Sequence, residues 1–252
     1  LKVYLIDQKW ACFGKDNPAT DYYVEESSFV VSTIDINGSY VNLSFDGNGH
    51  GTHVAGIIGA NGRFLGTAPG VELIAVKALS SSGEGNWEDI FKAIEYAAEQ
   101  GADIINVSIG DLVASKEGHK AQLRILEELS LESDVLIVIA VGNNGPGLAT
   151  AYDTASSENI ITVGAYMSPE LWKTNYNVNI PYETLWYYSG VGHGSSRPTV
   201  VAPSSVISTV GRWDTGGYFL MNGTSMAAPF VSGSCALLLE QAKKEGIPVS
   251  AQ

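Results

Sequence analysis

The sequence predicts an α/β fold: a three-layer arrangement with a mostly parallel central sheet and helices on both faces. Three observations lead there. From residue 50 onward, short continuous Val/Ile runs alternate with stretches of helical periodicity, the pattern of strands buried on both faces. Several of these runs end in polar or glycine-rich turns, and in such sheets functional sites gather at the carboxyl ends of the strands. The chain has 252 residues, 45% apolar and 16% charged, enough to bury a sizeable core.

Residues 1–45 read as strands and turns, with "LKVYLI" first and then "FVVSTI" and "YVNLSF" on either side of Asn37-Gly38. A helix of small residues is expected at about 50–60, followed by an apolar strand, "LIAVKAL", at 73–79. In "NWEDIFKAIEYAAEQG", Trp87, Ile90, Phe91, Ile94 and Ala98 fall on one helical face, with Asn86 as N-cap and Gly101 as the stop. "DIINVSIG" (103–110), a helix at about 116–131, "VLIVIAV" (135–141) and "IITVGA" (160–165) continue the alternation. Residues 166–189, rich in Tyr, Trp and Asn, have no clear period and read as a surface excursion. "PTVVAP" and "YFLMNG" precede a last helix beginning near Ser225. One domain is the simplest organisation, and both ends look like cuts through a longer protein or like processing.

Composition narrows the function. A net charge of −13 argues against non-specific nucleic-acid binding. The longest apolar run, 135–141, is far short of the roughly 20 residues a membrane span needs. Cys12 and Cys235 make no disulfide framework, and Cys235 in "CALLL" reads as a buried free thiol. They leave the compartment open, with a secreted or cell-surface setting preferred to the cytoplasm.

Two stretches carry candidate chemistry. In "NGTSMAAP" (222–229), Gly223 permits a tight turn and Ser225 lies at a helix N-terminus, beside its own amide and the positive end of the helix dipole. Ala227 and Ala228 let the helix pack closely, and Pro229 falls near the first turn, where a missing N–H costs least. The bland reading of Ser225 is an ordinary N-cap. In "GNGHGTHVAG" (47–56), His50 and His53 stand three apart. As a zinc site the pair lacks further ligands, and as a plain helix start its glycines are poor helix formers. As a general base, His50 needs a nucleophile near it in space, and Ser225 is the candidate.

"HGTHVAG" and "GTSMAAP", in that order, resemble the histidine and serine signatures of subtilisin-like serine proteases. The resemblance runs on through "GTAPGVELIAVKAL", "GADIINVSIGD", "IAVGNNGP" and "IITVGA", covering roughly residues 46–244. It implies peptide-bond hydrolysis through an acyl-enzyme, with His50 as general base, Ser225 as nucleophile and His53 as a structural residue. Asn143 corresponds to the side-chain oxyanion donor, acting with the backbone N–H of Ser225. Ser108, Ile109 and Gly110 on one side, and Gly83, Glu84 and Gly85 on the other, resemble the two segments that hold an extended peptide like added strands. The expected partner is therefore an extended peptide or protein substrate, and no cofactor is implied.

The pattern departs in two places. The family's order is aspartate, histidine, serine, with the aspartate in an Asp-Ser/Thr-Gly turn, and no such turn precedes His50. Asp7 has a strand before it but Gln8-Lys9 after it; Asp35 and Asp46 stand too close to His50. "FGKDNPATDYYVEESSFVV" and "WKTNYNVNIPYETLWYYSGVG" resemble the tripeptidyl-peptidase II and pyrolysin-like branch, which carries a long insertion between its aspartate and histidine. The resemblance then places the aspartate upstream of Leu1 and makes residues 1–45 the end of that insertion. Otherwise Asp7 is that aspartate, or the chain is a catalytically impaired relative that binds peptides without efficient turnover, or a sedolisin-like hydrolase, against which "HGTH" argues. The loop "ANGRFLGTAP" (60–69) offers no carboxylate, so no calcium ion is expected there. Glu84 reads either as a solvated loop carboxylate or as a residue favouring basic side chains at an outer subsite, while His119, His193 and Asp111 read as solvated loop or helix-face residues.

Overall fold

The computed structural model describes residues 11–13, 27–110, 116–151, 157, 159–192, 198–211 and 217–250. Asp7, the "LKVYLI" segment, Asp111, His193 and the side chain of His119 lie outside the described residues. In chain order the elements are β1 (Ala11–Phe13), β2 (Ser27–Ile34), β3 (Val41–Ser44), α1 (His50–Gly59), α2 (Trp87–Glu99) and β4 (Ile104–Val107). There follow α3 (Lys116–Ser133), β5 (Leu136–Ala140), β6 (Ile160–Met167), α4 (Pro169–Tyr176) and β7 (Thr184–Leu185). The last are β8 (Val200–Pro203), β9 (Ser205–Thr209), β10 (Tyr218–Asn222) and α5 (Thr224–Glu245).

The central sheet runs β4-β5-β6, with β8 on β6, all parallel; only the short β7 joins antiparallel. β5 shows why its sequence is a continuous apolar run. Ile137 and Ile139 face α2 and α3, packing with Ile90, Ile94, Leu123 and Leu126. Val138 and Ala140 face the other way, onto Ala227 and Ala228 of α5. Alternate side chains point to opposite faces, and both faces are covered. The Asn86 cap forms as expected, its side chain accepting from the Asp89 amide at 2.8 Å. The three strands before α1 form a separate antiparallel sheet, β1-β2-β3.

Two expectations fail. Residues 73–79 belong to no strand, and Leu73, Ile74 and Val76 are exposed. A β-strand is defined by its ladder, and no partner for this segment lies among the described residues; β4, the edge of the sheet, pairs only with β5. The stretch 166–189 is no surface excursion. It holds α4, started by Ser168, whose hydroxyl accepts from the Leu171 amide at 3.2 Å. Trp186 is only 4% exposed, packed against Trp172, Tyr176 and Tyr188. These rings sit 5.3–5.9 Å from it, centroid to centroid. An aromatic cluster buries without periodicity, and a helix of eight residues is too short to show one.

Helix α1 lies against β9 with almost no separation. Ser208 donates to the His53 carbonyl (2.8 Å) and Thr209 to the Thr52 carbonyl (2.7 Å). A Cβ on Gly56 would stand 2.2 Å from Thr209 Oγ1 and 2.4 Å from Ser208 Oγ. Gly56→Ala gains roughly 1 kcal/mol of helix propensity but forces these hydroxyls off their carbonyls. The expected net effect is a loss of about 1–3 kcal/mol, read as a lower urea midpoint at unchanged m-value; a midpoint equal to wild type would mean α1 can step back.

Candidate active site

The serine, histidine and asparagine expected to act together come from three chain segments that meet at the sheet's carboxyl end. Ser225 is in the first turn of α5. It is not the N-cap: that position belongs to Gly223, at φ 137, and no side chain caps the helix. The Ser225 hydroxyl donates instead to the Ser108 carbonyl at the exit of β4, 3.4 Å away. His50 opens α1, on the stripe that continues through Val54 and Ile57. Val54 and Ile57 pack on Met226, the neighbour of Ser225, so α1 lies against the first turn of α5.

Pro229 is the sixth residue of α5, beyond the first turn that its motif suggests. Its ring nitrogen has no hydrogen for the Ser225 carbonyl, which would be its helical acceptor. The Ser108 hydroxyl fills that gap, donating to the Ser225 carbonyl at 2.9 Å. Ser108 is itself held by the Asn106 amide (2.9 Å), and Asn106 accepts from Ser232 of α5 (2.9 Å). Beyond its expected place in holding peptide, Ser108 therefore fastens the serine's backbone to β4.

Asn143 follows β5. Its Oδ1 accepts from the Thr224 amide (2.9 Å) and the Thr224 hydroxyl (3.1 Å), while that hydroxyl accepts from the Gly142 amide (3.2 Å). These contacts orient the side-chain amide and leave its Nδ2 hydrogens uncommitted among the described residues. Thr224 is fully buried. Sequence reasoning misses its part: the "GTS" motif puts it beside the serine, but nothing in the motif points to a bond with residue 143. A Cβ on Gly223 would come within 3.2 Å of Asn143 Oδ1, tighter than ordinary contact.

The two histidines differ. His53 is completely buried, with Nε2 donating to the Phe219 carbonyl at 2.9 Å. Burial holds it below the usual histidine range, against the raising effect of the Phe219 and Val206 backbones. His50 is half-exposed. Burial lowers its pKa too, and the negative charge of Asp46 works the other way. No hydrogen bond joins the His50 ring to another group among the described residues. Asp35, one of the upstream carboxylates, is spent on the β2–β3 turn, accepting from Asn37 and Ser39.

Of the other expected peptide-holding segment, the loop 80–85 closes on itself: the Ser80 amide donates to the Glu84 carbonyl (2.8 Å) and the Gly83 amide to the Ser80 carbonyl (3.0 Å). The Asn48 side chain, two residues before His50, ties it down through the Ser81 carbonyl (3.0 Å). Gly85 keeps its backbone groups uncommitted among the described residues. Ile109 packs into the α2–α3 core and Gly110 is exposed. Cys235 is a free, half-buried thiol whose pKa is raised by burial.

Fold and site together have the layout of a serine hydrolase built on a parallel α/β sheet. The chain belongs to the subtilase family, whose model matches residues 20–251. It is 33% identical to pyrolysin of Pyrococcus furiosus over 90% of its length, and 32% identical to tripeptidyl-peptidase 2 of Arabidopsis thaliana over 99%. It is 33% identical to a thermophilic serine proteinase of a Bacillus species over 92% of its length. The chain spans 20%, 18% and 58% of these relatives' own lengths, respectively. Among solved structures, the S41 psychrophilic protease superposes with a TM-score of 0.67 at 28% identity, covering 84% of this chain and 70% of that one. Sphericase gives 0.64 at 31% identity, covering 81% and 66%.

The Ser108 contact predicts a rescue. Ser108→Ala leaves the Ser225 carbonyl unpaired and should cost about 1–3 kcal/mol in chemical unfolding. Adding Pro229→Ala supplies an N–H for that carbonyl and should return part of the loss. Additive losses in the double variant would show that the carbonyl is not what Ser108 serves.

Proposed function

We propose that this chain carries the peptide-hydrolysing centre of a subtilase, cleaving through an acyl-enzyme. Ser225 attacks the scissile carbonyl after turning away from Ser108, and His50 takes its proton and returns it to the leaving amine. The tetrahedral oxyanion is bound by Asn143 Nδ2 and the backbone N–H of Ser225. The observation that carries the reading is the clamped amide of Asn143: Thr224 holds its oxygen, so its donor end stays free beside the serine's helix start. Extended peptide binds between Gly85 and the Ser108–Gly110 segment. The family's pyrolysin and tripeptidyl-peptidase names support either internal cleavage or removal of terminal tripeptides, and an N-terminally blocked, internally quenched peptide separates the two.

We place the aspartate that orients His50 outside the described residues. Among the described residues β4 pairs only with β5, so a further parallel strand can pair on its other side, and an aspartate at the end of such a strand is the candidate partner of His50. The sheet β1-β2-β3 fits the end of an insertion between that strand and His50. The alternative, a relative that binds peptide without efficient turnover, draws on the bare ring of His50.

A fluorophosphonate probe should label Ser225 in the full-length protein, with labelling abolished in Ser225→Ala and strongly reduced in His50→Ala. An unlabelled wild-type protein would sink the hydrolase reading. Asn143→Ala should lower kcat by about 10²–10³ with little change in KM. A large KM change at constant kcat would instead make Asn143 a residue that binds the substrate's ground state.

A further inference from the structure

Between the β2–β3 hairpin and α1, the chain turns sharply at residues 46–49, and one side chain makes the turn. Asp46 Oδ1 accepts from the amides of Asn48 (3.0 Å) and Gly49 (2.8 Å), and Oδ2 accepts from the Thr52 hydroxyl inside α1. The carboxylate therefore straddles the junction. It ties the turn to the first turn of the helix and satisfies donors at a helix start that has no side-chain cap of its own. Gly49 stands at φ 90 to let the chain enter, and Asn48 Oδ1 accepts the His50 amide (3.2 Å). The two residues that lead into His50 are thus both set by Asp46.

We propose that Asp46 is a positioning residue for His50: its carboxylate folds the turn that presents the imidazole and keeps a negative charge beside it. This rests on reading His50 as the base. The role is distinct from that of the family's aspartate, because both Asp46 oxygens are committed to the turn and to Thr52. Asp46 stays ionised at neutral pH: burial alone would raise its pKa, and the Gly49 amide, the Thr52 hydroxyl and the Asn48 amide outweigh that. Among the described residues, the other ionisable groups around His50 are few. His53, one turn along α1, is buried and held neutral, and Glu84 belongs to the loop tied to Asn48. The first turn of α5 and the β9 strand bring only uncharged groups: Thr224, Ser225, Ser208 and Thr209.

The sign of the electrostatic effect is fixed. A carboxylate beside His50 favours the imidazolium, so its removal lets the ring lose its proton at lower pH. Asp46→Asn keeps an acceptor for the two amides but removes the charge, whereas Asp46→Ala removes both. In the full-length protein, the acid limb of kcat/KM in Asp46→Asn should move to lower pH. About one pH unit below the wild-type midpoint, the fraction of plateau activity retained should rise by about twofold or more. The His50 ring, followed by NMR in 13C-labelled protein, should titrate lower in the same variant. Asp46→Ala should in addition lose about 10–100-fold in kcat with KM nearly constant, and Asp46→Asn should recover most of that loss. An unmoved limb and an unmoved His50 titration in Asp46→Asn overturn the proposal, as does full kcat in Asp46→Ala. Should Asp46→Ala fail to fold, the Asn variant decides alone. Absence of turnover in the wild type would count against the hydrolase reading, and the NMR titration would still decide this one.

Discussion

The first turn of α5 depends on one hydroxyl. Thr224 takes the Gly142 amide as donor and gives its own proton to Asn143, so the exit of β5 and the start of α5 are a single hydrogen-bonded unit. A threonine buried to zero exposure must be satisfied on both sides, and here each partner belongs to the site. Behind it, Ala227 and Ala228 press the helix onto the sheet at full burial, and Ser108 binds the carbonyl that Pro229 leaves open. The serine is therefore held by packing and by backbone from two different strands. None of its neighbours can shift without disturbing a buried polar group, and such groups are costly to leave unmade.

The two histidines of "HGTH" show how three residues of spacing can separate two kinds of chemistry. His53 lies under the helix against β9 and β10, with Nε2 on a carbonyl, and contributes shape and one hydrogen bond. His50, at the helix's open end, keeps a ring that can change protonation, with burial and Asp46 pulling its proton affinity in opposite directions. A neutral imidazole that is easily protonated is what proton exchange with a serine requires.

Much of the fold is legible in the sequence because period and composition carry it. The amphipathic α2 with its Asn86 cap, and the doubly buried β5, follow from local pattern alone. Segment 73–79 does not, because the pattern of a strand says nothing about whether a neighbour is present to pair with it. Trp186 escapes a reading by pattern for the opposite reason: its burial comes from a cluster of four rings gathered from residues 172–188, two of them on α4, and no periodicity announces it. The roles of Thr224, Ser108 and Asp46 are hydrogen bonds whose partners only the folded chain identifies. Motif spacing associates Ser225, His50 and Asn143, but not the residues that hold them.

The edge of β4 carries a further consequence. Among the described residues β4 pairs on one side only, and a parallel strand with an unpaired side is a template for intermolecular pairing. Natural sheets blunt such edges with charge, proline or a bulge, and Ile104–Val107 has none of these. Residues 27–250 prepared alone would stick to copies of themselves through this edge. Any strand that paired with this edge would then act as a guard against aggregation.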